Sequence, residues 1–267
     1  MICMSENLII PVIIPYYKAP EQIKLAKSCL EKQIGVQTEI FIHDNSVDNL
    51  YFTKAINLGI KKFIKNHAFL MILNQDAYAR QNCIIEMLNV MKEHPKCGIC
   101  TPVSFNSSGK CNWSGGLDAY PIGKHNTDNH NLKKVNSLES PWANGACMLL
   151  RSEMIQEIGI FDENMRFLFS DSDYSFTARS RGWHIRVASK AIIDHTLSGS
   201  ASKKSSPELD VIMLEDQLYF AKKWLSGDIY RSLSIEGEKL SDEFIKLTMQ
   251  ETRENLDYFR QFLSDQG

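Results

Sequence analysis

The 267-residue sequence lacks an excess of charge of either sign: 30 basic and 32 acidic side chains give a formal charge of −2. Without an overall positive field the chain has no general means of attracting nucleic acid, which we exclude as a partner. Its content of 43% hydrophobic and 23% charged residues excludes intrinsic disorder and collagen. The length allows one large domain or two small ones, with a core that needs no disulfide.

Long hydrophobic runs are also missing. The apolar segment over residues 8–15 is interrupted by Pro11 and ends at Pro15. It is therefore far shorter than the roughly 20 apolar residues that span a membrane. It lacks the basic leader and the cleavage site of a signal peptide. Seven cysteines, odd in number and irregularly spaced, suit a reducing compartment, so we expect a cytoplasmic protein.

One cysteine pair, Cys97 and Cys100, has the spacing of redox and zinc motifs. A zinc site needs further ligands, and Cys83 and Cys111 do not form a second pair. The apolar residues around the pair favour a buried strand in which cysteine acts as a small hydrophobic side chain. We therefore predict a structural role.

Several motifs of common enzyme classes are absent. No GxGxxG follows the first apolar segment, so the usual dinucleotide fingerprint is missing. Ser108-Gly109-Lys110 lacks the first glycine and the Ser/Thr of a P-loop, and neither HExxH nor GxSxG occurs. If the chain binds a nucleotide, side chains and a metal ion must hold the phosphates.

The first 105 residues alternate between strand and helix patterns. Pro20 opens a helical pattern, and Asn82 is predicted to cap another. The predicted strands are residues 8–14, 39–43, 69–73 and 97–103. This alternation predicts an α/β fold with a mostly parallel sheet and helices on both faces.

The rest of the chain is less regular. Residues 106–141 are rich in small polar side chains and lack periodicity, so we predict a long loop region. The elements predicted after it are a strand at 145–150, a short helix capped by Ser152, a helix over 172–181, strands at 184–188 and 191–195, and two amphipathic helices from Pro207.

Polar and aromatic side chains follow the first three predicted strands. Ligands of an open parallel sheet bind at the carboxyl ends of its strands, so these side chains should meet. The three clusters are Pro15-Tyr16-Tyr17, Asp44-Asn45 and Asn74-Gln75-Asp76. Later, Asp171 and Asp173 fall at the start of a predicted helix, where acids commonly only complement the helix dipole. Asp76 could likewise simply end its strand in a turn.

These segments also occur in a recognisable order. They are the Ile13–Tyr17 opening, Asp44-Asn45-Ser46, Asn57-Leu58-Gly59, Leu73–Asp76, and the block from Trp142 through Gly159–Asp162 and Asp171–Asp173 to His195. In order and spacing they resemble the family 2 glycosyltransferases of the GT-A fold, and within them bacterial rhamnosyltransferase-like enzymes of surface polysaccharide synthesis. The resemblance spans roughly residues 8–225.

The resemblance implies an inverting transfer of a sugar, such as rhamnose or another hexose, from a nucleoside-diphosphate donor with Mg²⁺ or Mn²⁺. Asp171 would be the base for the acceptor hydroxyl, with Asp173 as a second catalytic carboxylate. Asp76 and His195 would hold the metal. The implied nucleotide-binding residues are Pro15, Tyr16, Tyr17, Asp44, Asn45, Asn57, Asn74 and Gln75, and Asp44 would read the nucleobase.

Two positions depart from the family pattern. Asn74 stands at the first position of the DxD-type metal motif, which leaves Asp76 as its single carboxylate. Ser170 stands before Asp171, where the family usually has an acidic pair. The first departure lowers the expected affinity for the metal.

The resemblance predicts a catalytic domain over residues 1–225 and a helical appendage over 226–267. Residues 106–141 and the C-terminal helices would bind a saccharide or lipid-linked acceptor. Trp113 and Trp142 would serve as stacking platforms unless they only pack. For the segment Lys222–Trp224, peripheral attachment to the inner face of the cell membrane is one interpretation. The simpler one is an amphipathic helix packed against the domain.

Two other functions stay open. A sugar-nucleotide nucleotidyltransferase also combines a Rossmann-like sheet with Mg²⁺, although Pro15-Tyr16-Tyr17-Lys18 is not its glycine-rich phosphate loop. A non-catalytic sugar-nucleotide-binding module could keep the same fold. The presence of Asp76, Asp171 and Asp173 together favours an enzyme.

Overall fold

The computed structural model describes residues 8–117, 125–195, 206–224 and 242–265. Within these residues the strands are β1 Ile9–Tyr16, β2 Gln37–Asp44, β3 Phe69–Leu73, β4 Ala77–Ala79, β5 Cys97–Phe105, β6 Cys111–Trp113, β7 Ser137–Glu139, β8 Cys147–Arg151 and β9 His184–His195. The α-helices are α1 Pro20–Glu31, α2 Tyr51–Phe63, α3 Cys83–Glu93, α4 Ser152–Ile158, α5 Ser170–Ser180, α6 Pro207–Trp224 and α7 Asp242–Ser264. A 3₁₀ turn covers Leu132–Lys134.

The strands form one mixed sheet in the order β2-β1-β3-β8-β5-β9-β4, with β6 on β5 and β7 on β9. The two longest ladders, β1 with β2 and β5 with β9, are parallel. Strand β8 runs antiparallel to both of its neighbours, β3 and β5. The predicted α/β architecture, a mixed sheet between helices, is confirmed.

The core lies on both faces of this sheet. All five residues of β3 are buried, as expected for a strand covered on both sides. One hydrophobic cluster joins the sheet to α1 and α3, and a second joins it to α2, α4 and α5. A third cluster lies between β5, β6, α5 and α6.

Several local predictions need correction. Strands β6 and β7 lie inside the segment that was predicted to be a loop. The sequence did not predict them because strands of three residues show no usable periodicity. The two strands predicted at 184–188 and 191–195 are one strand, β9, whose pairing with β5 shifts register. Asn82 precedes α3, but its side chain makes no capping bond; the Ile84 amide donates to Gln33 Oε1 instead. Ser152 lies inside α4 and donates to the His67 carbonyl.

The cysteine pair has the predicted surroundings. Cys97 and Cys100 lie in β5 and are fully buried, and burial raises the pKa of the Cys100 thiol. Among the described residues no group of three or more His, Cys, Asp or Glu side chains could by itself hold a metal ion. The burial of the pair favours the predicted structural role.

The C-terminal helices pack on the rest of the fold and on each other. Trp224 is 6% exposed and donates from Nε1 to Asp173, so its ring packs against the domain, as the simpler interpretation predicts. Arg260 of α7 pairs with Glu215 of α6. None of the described helices is long and apolar enough to cross a membrane. The predicted domain boundary at 225/226 lies outside the described residues.

Candidate functional site

A cavity of about 410 Å³ lies beyond the carboxyl ends of β1, β2 and β3. Its volume falls within the range of small-molecule sites. Eight residues predicted for the site line it: Pro15, Tyr17, Asn45, Asn74, Gln75, Asp76, Asp171 and His195. The sheet topology therefore brings together residues that lie up to 180 positions apart in the sequence.

Asp76 and His195 form a pair at this cavity. Strand β4 pairs antiparallel with β9 so that Ala77 lies opposite His195, which places the preceding Asp76 beside the imidazole. The distance from Asp76 Oδ1 to His195 Nε2 is 3.3 Å, and both side chains are buried. A carboxylate oxygen and an imidazole nitrogen thus converge on one point, as two ligands of a divalent cation would.

Asp171 lies in the first turn of α5. Its Oδ2 accepts a hydrogen bond of 2.8 Å from the Gly145 amide, and its Oδ1 accepts one of 2.8 Å from the Ser172 amide. Burial raises the pKa of the Asp171 carboxyl, although these amides and the nearby His125 oppose the rise. A fixed carboxylate with a raised pKa has the properties of a general base.

The segment before β8 connects Asp171 to the neighbourhood of the Asp76–His195 pair. The Asn74 amide donates to the Ala146 carbonyl at 2.9 Å, one residue after Gly145, which binds Asp171. An added Cβ at Gly145 would lie 3.2 Å from Asp171 Oδ2 and 3.3 Å from the Phe52 ring. A side chain at position 145 would therefore crowd Asp171 and Phe52.

Two amides shape the other end of the cavity. Gln75 binds the backbone of Tyr17 twice: Oε1 accepts from the Tyr17 amide at 2.7 Å, and Nε2 donates to its carbonyl at 3.2 Å. Asn45 accepts from the Leu50 amide and donates to the Tyr51 carbonyl, each at 3.0 Å. These side chains fix the loops after β1 and β2, so both have a structural role at the site.

Four predicted site residues do not line the cavity. Tyr16 contributes its carbonyl, which accepts from the Asn45 amide. Asp44 is exposed, and hydrogen bonds from Ser46 lower the pKa of its carboxyl. Asn57 is fully buried and its amide group bonds the backbone of Phe161 on both sides.

Asp173, the fourth of these residues, is only 2% exposed. Its Oδ1 lies 2.6 Å from Trp224 Nε1 and 2.8 Å from Lys223 Nζ. Lys223 also contacts Asp162 at 3.1 Å, and these two carboxylates raise the pKa of Lys223 against the effect of its burial. In this structure Asp173 connects α5 to α6.

A wall of the cavity that the sequence did not indicate is formed by residues 167–169. The fully buried Asp216 of α6 holds it by accepting from the amides of Arg166, Phe167 and Leu168 at 3.0, 2.7 and 2.9 Å. Asp216 lies about 50 positions further along the chain, in a helix whose pattern marks it only as a polar residue. We find no signal in the sequence for this contact.

The two tryptophans considered as stacking platforms are buried in the third hydrophobic cluster. Trp113 and Trp142 are 2% and 3% exposed, and their rings meet edge to face at 6.2 Å. Neither lines the cavity. Packing is therefore the interpretation that their positions favour.

Comparisons with known proteins address the family and the fold. A family profile described as "Glycosyltransferase like family 2" matches residues 47–210, more than half of the chain. No curated protein sequence matches the chain.

The solved structures that share the fold at low sequence identity include the following two. "Crystal structure of GalNAc-T7 with UDP, GalNAc and Mn2+" aligns with a TM-score of 0.60 and 12% identity over 94% of this chain and 55% of that one. "Crystal structure of S. aureus TarS" aligns with a TM-score of 0.53 and 13% identity over 82% of this chain and 40% of that one. The chain thus spans about half the length of these structures or less.

Proposed function

Because the chain belongs to the glycosyltransferase-like family 2, and is thus a glycosyltransferase, we propose the following specific reaction. The protein moves a sugar from a nucleoside diphosphate to a hydroxyl of a saccharide or lipid-linked acceptor, with inversion at the anomeric carbon. The observation that carries this proposal is the presence of the Asp76–His195 pair and Asp171 in one cavity. The cellular role would be bacterial surface polysaccharide synthesis in the cytoplasm, with rhamnose or another hexose as the donor sugar.

The residues at the cavity fit a divalent cation. Asp76 and His195 offer one oxygen and one nitrogen that already lie 3.3 Å apart. Mg²⁺ and Mn²⁺ sites in nucleotide enzymes often take one or two protein ligands and complete their coordination with phosphate oxygens and water. Such a cation would neutralise the charge that develops on the departing diphosphate. The GalNAc-T7 structure, solved with UDP and Mn²⁺, makes these two the first compounds to test.

Asp171 would accept the proton of the acceptor hydroxyl. Its two bonds from Gly145 and Ser172 hold the carboxylate in one orientation. The acceptor oxygen attacks the anomeric carbon while the bond from that carbon to the diphosphate breaks. The proton passes to Asp171, and the nucleoside diphosphate leaves. The loops fixed by Asn45 and Gln75 would bind the nucleoside on the opposite side.

The test begins with thermal stabilisation by UDP, GDP and dTDP sugars, each with and without Mn²⁺. The proposal expects one donor to stabilise the protein in a Mn²⁺-dependent way and to yield a nucleoside diphosphate on turnover. Release of pyrophosphate from a nucleoside triphosphate and a sugar phosphate would instead identify a nucleotidyltransferase. Binding without any release of nucleoside diphosphate would identify a non-catalytic module.

A further inference from the structure

Backbone strain in the described chain is concentrated at the cavity. Three non-glycine residues have positive φ: Lys18 at 43°, Tyr51 at 57° and Phe169 at 62°. Tyr51 and Phe169 line the cavity, and Lys18 follows Tyr17, which also lines it. For bulky side chains this conformation is unfavourable and persists only where the surroundings impose it.

The surroundings of Tyr51 hold its backbone in the positive-φ conformation. The Tyr51 amide donates to Asn49 Oδ1 at 3.2 Å, and the Tyr51 carbonyl accepts from Asn45 Nδ2 at 3.0 Å. Asn45 is 5% exposed, and its Oδ1 also accepts from the Leu50 amide. Both backbone polar groups of Tyr51 are thus bonded within the protein. The half-buried aromatic side chain is therefore the part of Tyr51 that can contact a ligand.

The other two strained residues differ from Tyr51 in this respect. Phe169 stacks on Phe220 of α6 with 5.1 Å between ring centroids, so its ring belongs to the packing of the third hydrophobic cluster. Lys18 is exposed and does not line the cavity. Of these three residues, Tyr51 is the one that lines the cavity and whose ring is not part of the third hydrophobic cluster.

We propose that Tyr51 is a ligand-contacting residue, held in a strained backbone conformation so that its ring forms a stacking surface for the donor. This inference rests on the proposed function, because the ring would face the nucleobase or the sugar of a nucleoside-diphosphate sugar. Aromatic rings stack on bases and on the apolar faces of sugars without needing directional hydrogen bonds. The interaction would add affinity and would select flat or ring-shaped groups.

The experiment separates the ring from the strain. Tyr51→Gly and Tyr51→Ala both remove the ring, but only glycine removes the strain. We expect both variants to bind UDP-GalNAc, GDP-mannose or dTDP-rhamnose, whichever stabilises the wild type with Mn²⁺, about tenfold more weakly. We also expect the melting temperature of Tyr51→Gly to exceed that of Tyr51→Ala by about 2–4 °C. Tyr51→Phe should bind within about twofold of the wild type.

Lys18→Gly and Lys18→Ala are the matched controls. They should show the same order of melting temperatures, glycine above alanine, which checks the effect of strain at a residue that does not line the cavity. Parallel titrations with UDP, GDP or dTDP alone locate the contact. Weaker binding of the diphosphate itself places the ring at the base, and loss confined to the nucleotide sugar places it at the sugar. Either result supports the inference.

Wild-type-like affinity of Tyr51→Gly would overturn the inference, as would an equal loss in Tyr51→Phe, because the ring would then not be the contact. A melting temperature of Tyr51→Gly below that of Tyr51→Ala would contradict the claim that the backbone of Tyr51 is strained. Failure of the wild-type protein to bind any of the three nucleotide sugars would count against the proposed function itself. That outcome is distinct from a failure confined to Tyr51.

Discussion

Asp171 combines a raised pKa with two fixed hydrogen bonds, and this combination leads to a prediction about activity. Asp171→Asn keeps the size of the side chain but removes its ability to take a proton. We expect sugar transfer to fall by about 10²–10⁴-fold while Mn²⁺-dependent stabilisation by the donor persists. Full turnover by this variant in a nucleoside-diphosphate release assay would exclude Asp171 as the base.

The same carboxyl predicts a pH dependence of stability. Because burial raises its pKa in the folded state, its protonated form is favoured by folding. That contribution is fully present below the ordinary aspartate pKa of about 3.9 and is lost as the pH rises through the raised folded value. The melting temperature of Asp171→Asn, relative to the wild type, should therefore increase from about pH 4 to about pH 7.

Asp44→Asn is the control for this titration. The pKa of Asp44 is lowered by its hydrogen bonds with Ser46, so its contribution is present above the ordinary pKa and is lost as the pH falls. The melting temperature of this variant relative to the wild type should stay nearly constant between about pH 4 and about pH 7 and should rise as the pH falls further below about 4. The change should be small, since the side chain is exposed and screened. Parallel behaviour of the two variants would contradict the assignment.

The Asp76–His195 pair leads to a prediction about the metal. Asp76→Asn should abolish the part of the UDP-induced thermal stabilisation that depends on Mn²⁺ and leave the metal-independent part unchanged. Asn74→Asp is the opposite variant, because it adds a second carboxylate at the cavity wall. It should lower the Mn²⁺ concentration needed for half-maximal stabilisation. Equal Mn²⁺ responses in the wild type and both variants would argue against a metal at this pair.

At the scale of elements, α6 positions the wall of the cavity through Asp216. Asp216→Ala would leave three amides of residues 166–168 without their acceptor. We expect a loss of about 3 kcal/mol in the free energy of unfolding, measured by urea denaturation. Glu215→Ala is the matched control, since Glu215 makes partly exposed ion pairs with Arg166 and Arg260 that contribute at most about 1 kcal/mol. A similar effect of both variants would contradict the role of Asp216.

Strand and helix patterns predicted the main elements because those elements are long enough to show periodicity. The clusters after β1, β2 and β3 could be placed at one edge of the sheet because parallel strands end on the same side. The contact between Asp76 and His195 could not be derived in this way. It depends on β4, which has three residues and pairs with a strand more than 100 positions away.

Individual side chains were harder to predict than the strands that carry them. Asn57 and Asp173 were assigned to the site through the family resemblance, yet their polar atoms bond the Phe161 backbone and the α6 side chains Lys223 and Trp224. A sequence pattern gives the position of a polar residue, but it does not show which neighbouring groups form hydrogen bonds with that residue. These two assignments as site residues stay predictions.

At the scale of the whole molecule, α7 supports α6. Leu256 and Thr252 of α7 are buried, and Thr252 bonds Gln217 of α6 at 3.0 Å. Ending the chain after residue 241 should therefore lower the melting temperature by several degrees, through lost apolar burial. Arg260→Ala removes only an exposed ion pair and should change the melting temperature by less than about 2 °C. An unchanged melting temperature of the shortened chain would mean that α7 is not part of the cooperative fold.

Strand β8 joins the two parallel halves of the sheet, and the residues just before it bind the Asn74 amide and the Asp171 carboxylate. The spacing between the Asp76–His195 pair and Asp171 is thus set by the middle of the sheet, where packing tolerates little change. The wall of residues 167–169 and the start of α6 lie outside this frame. For redesign, these segments are the parts to exchange, and Gly145 is the residue to leave alone.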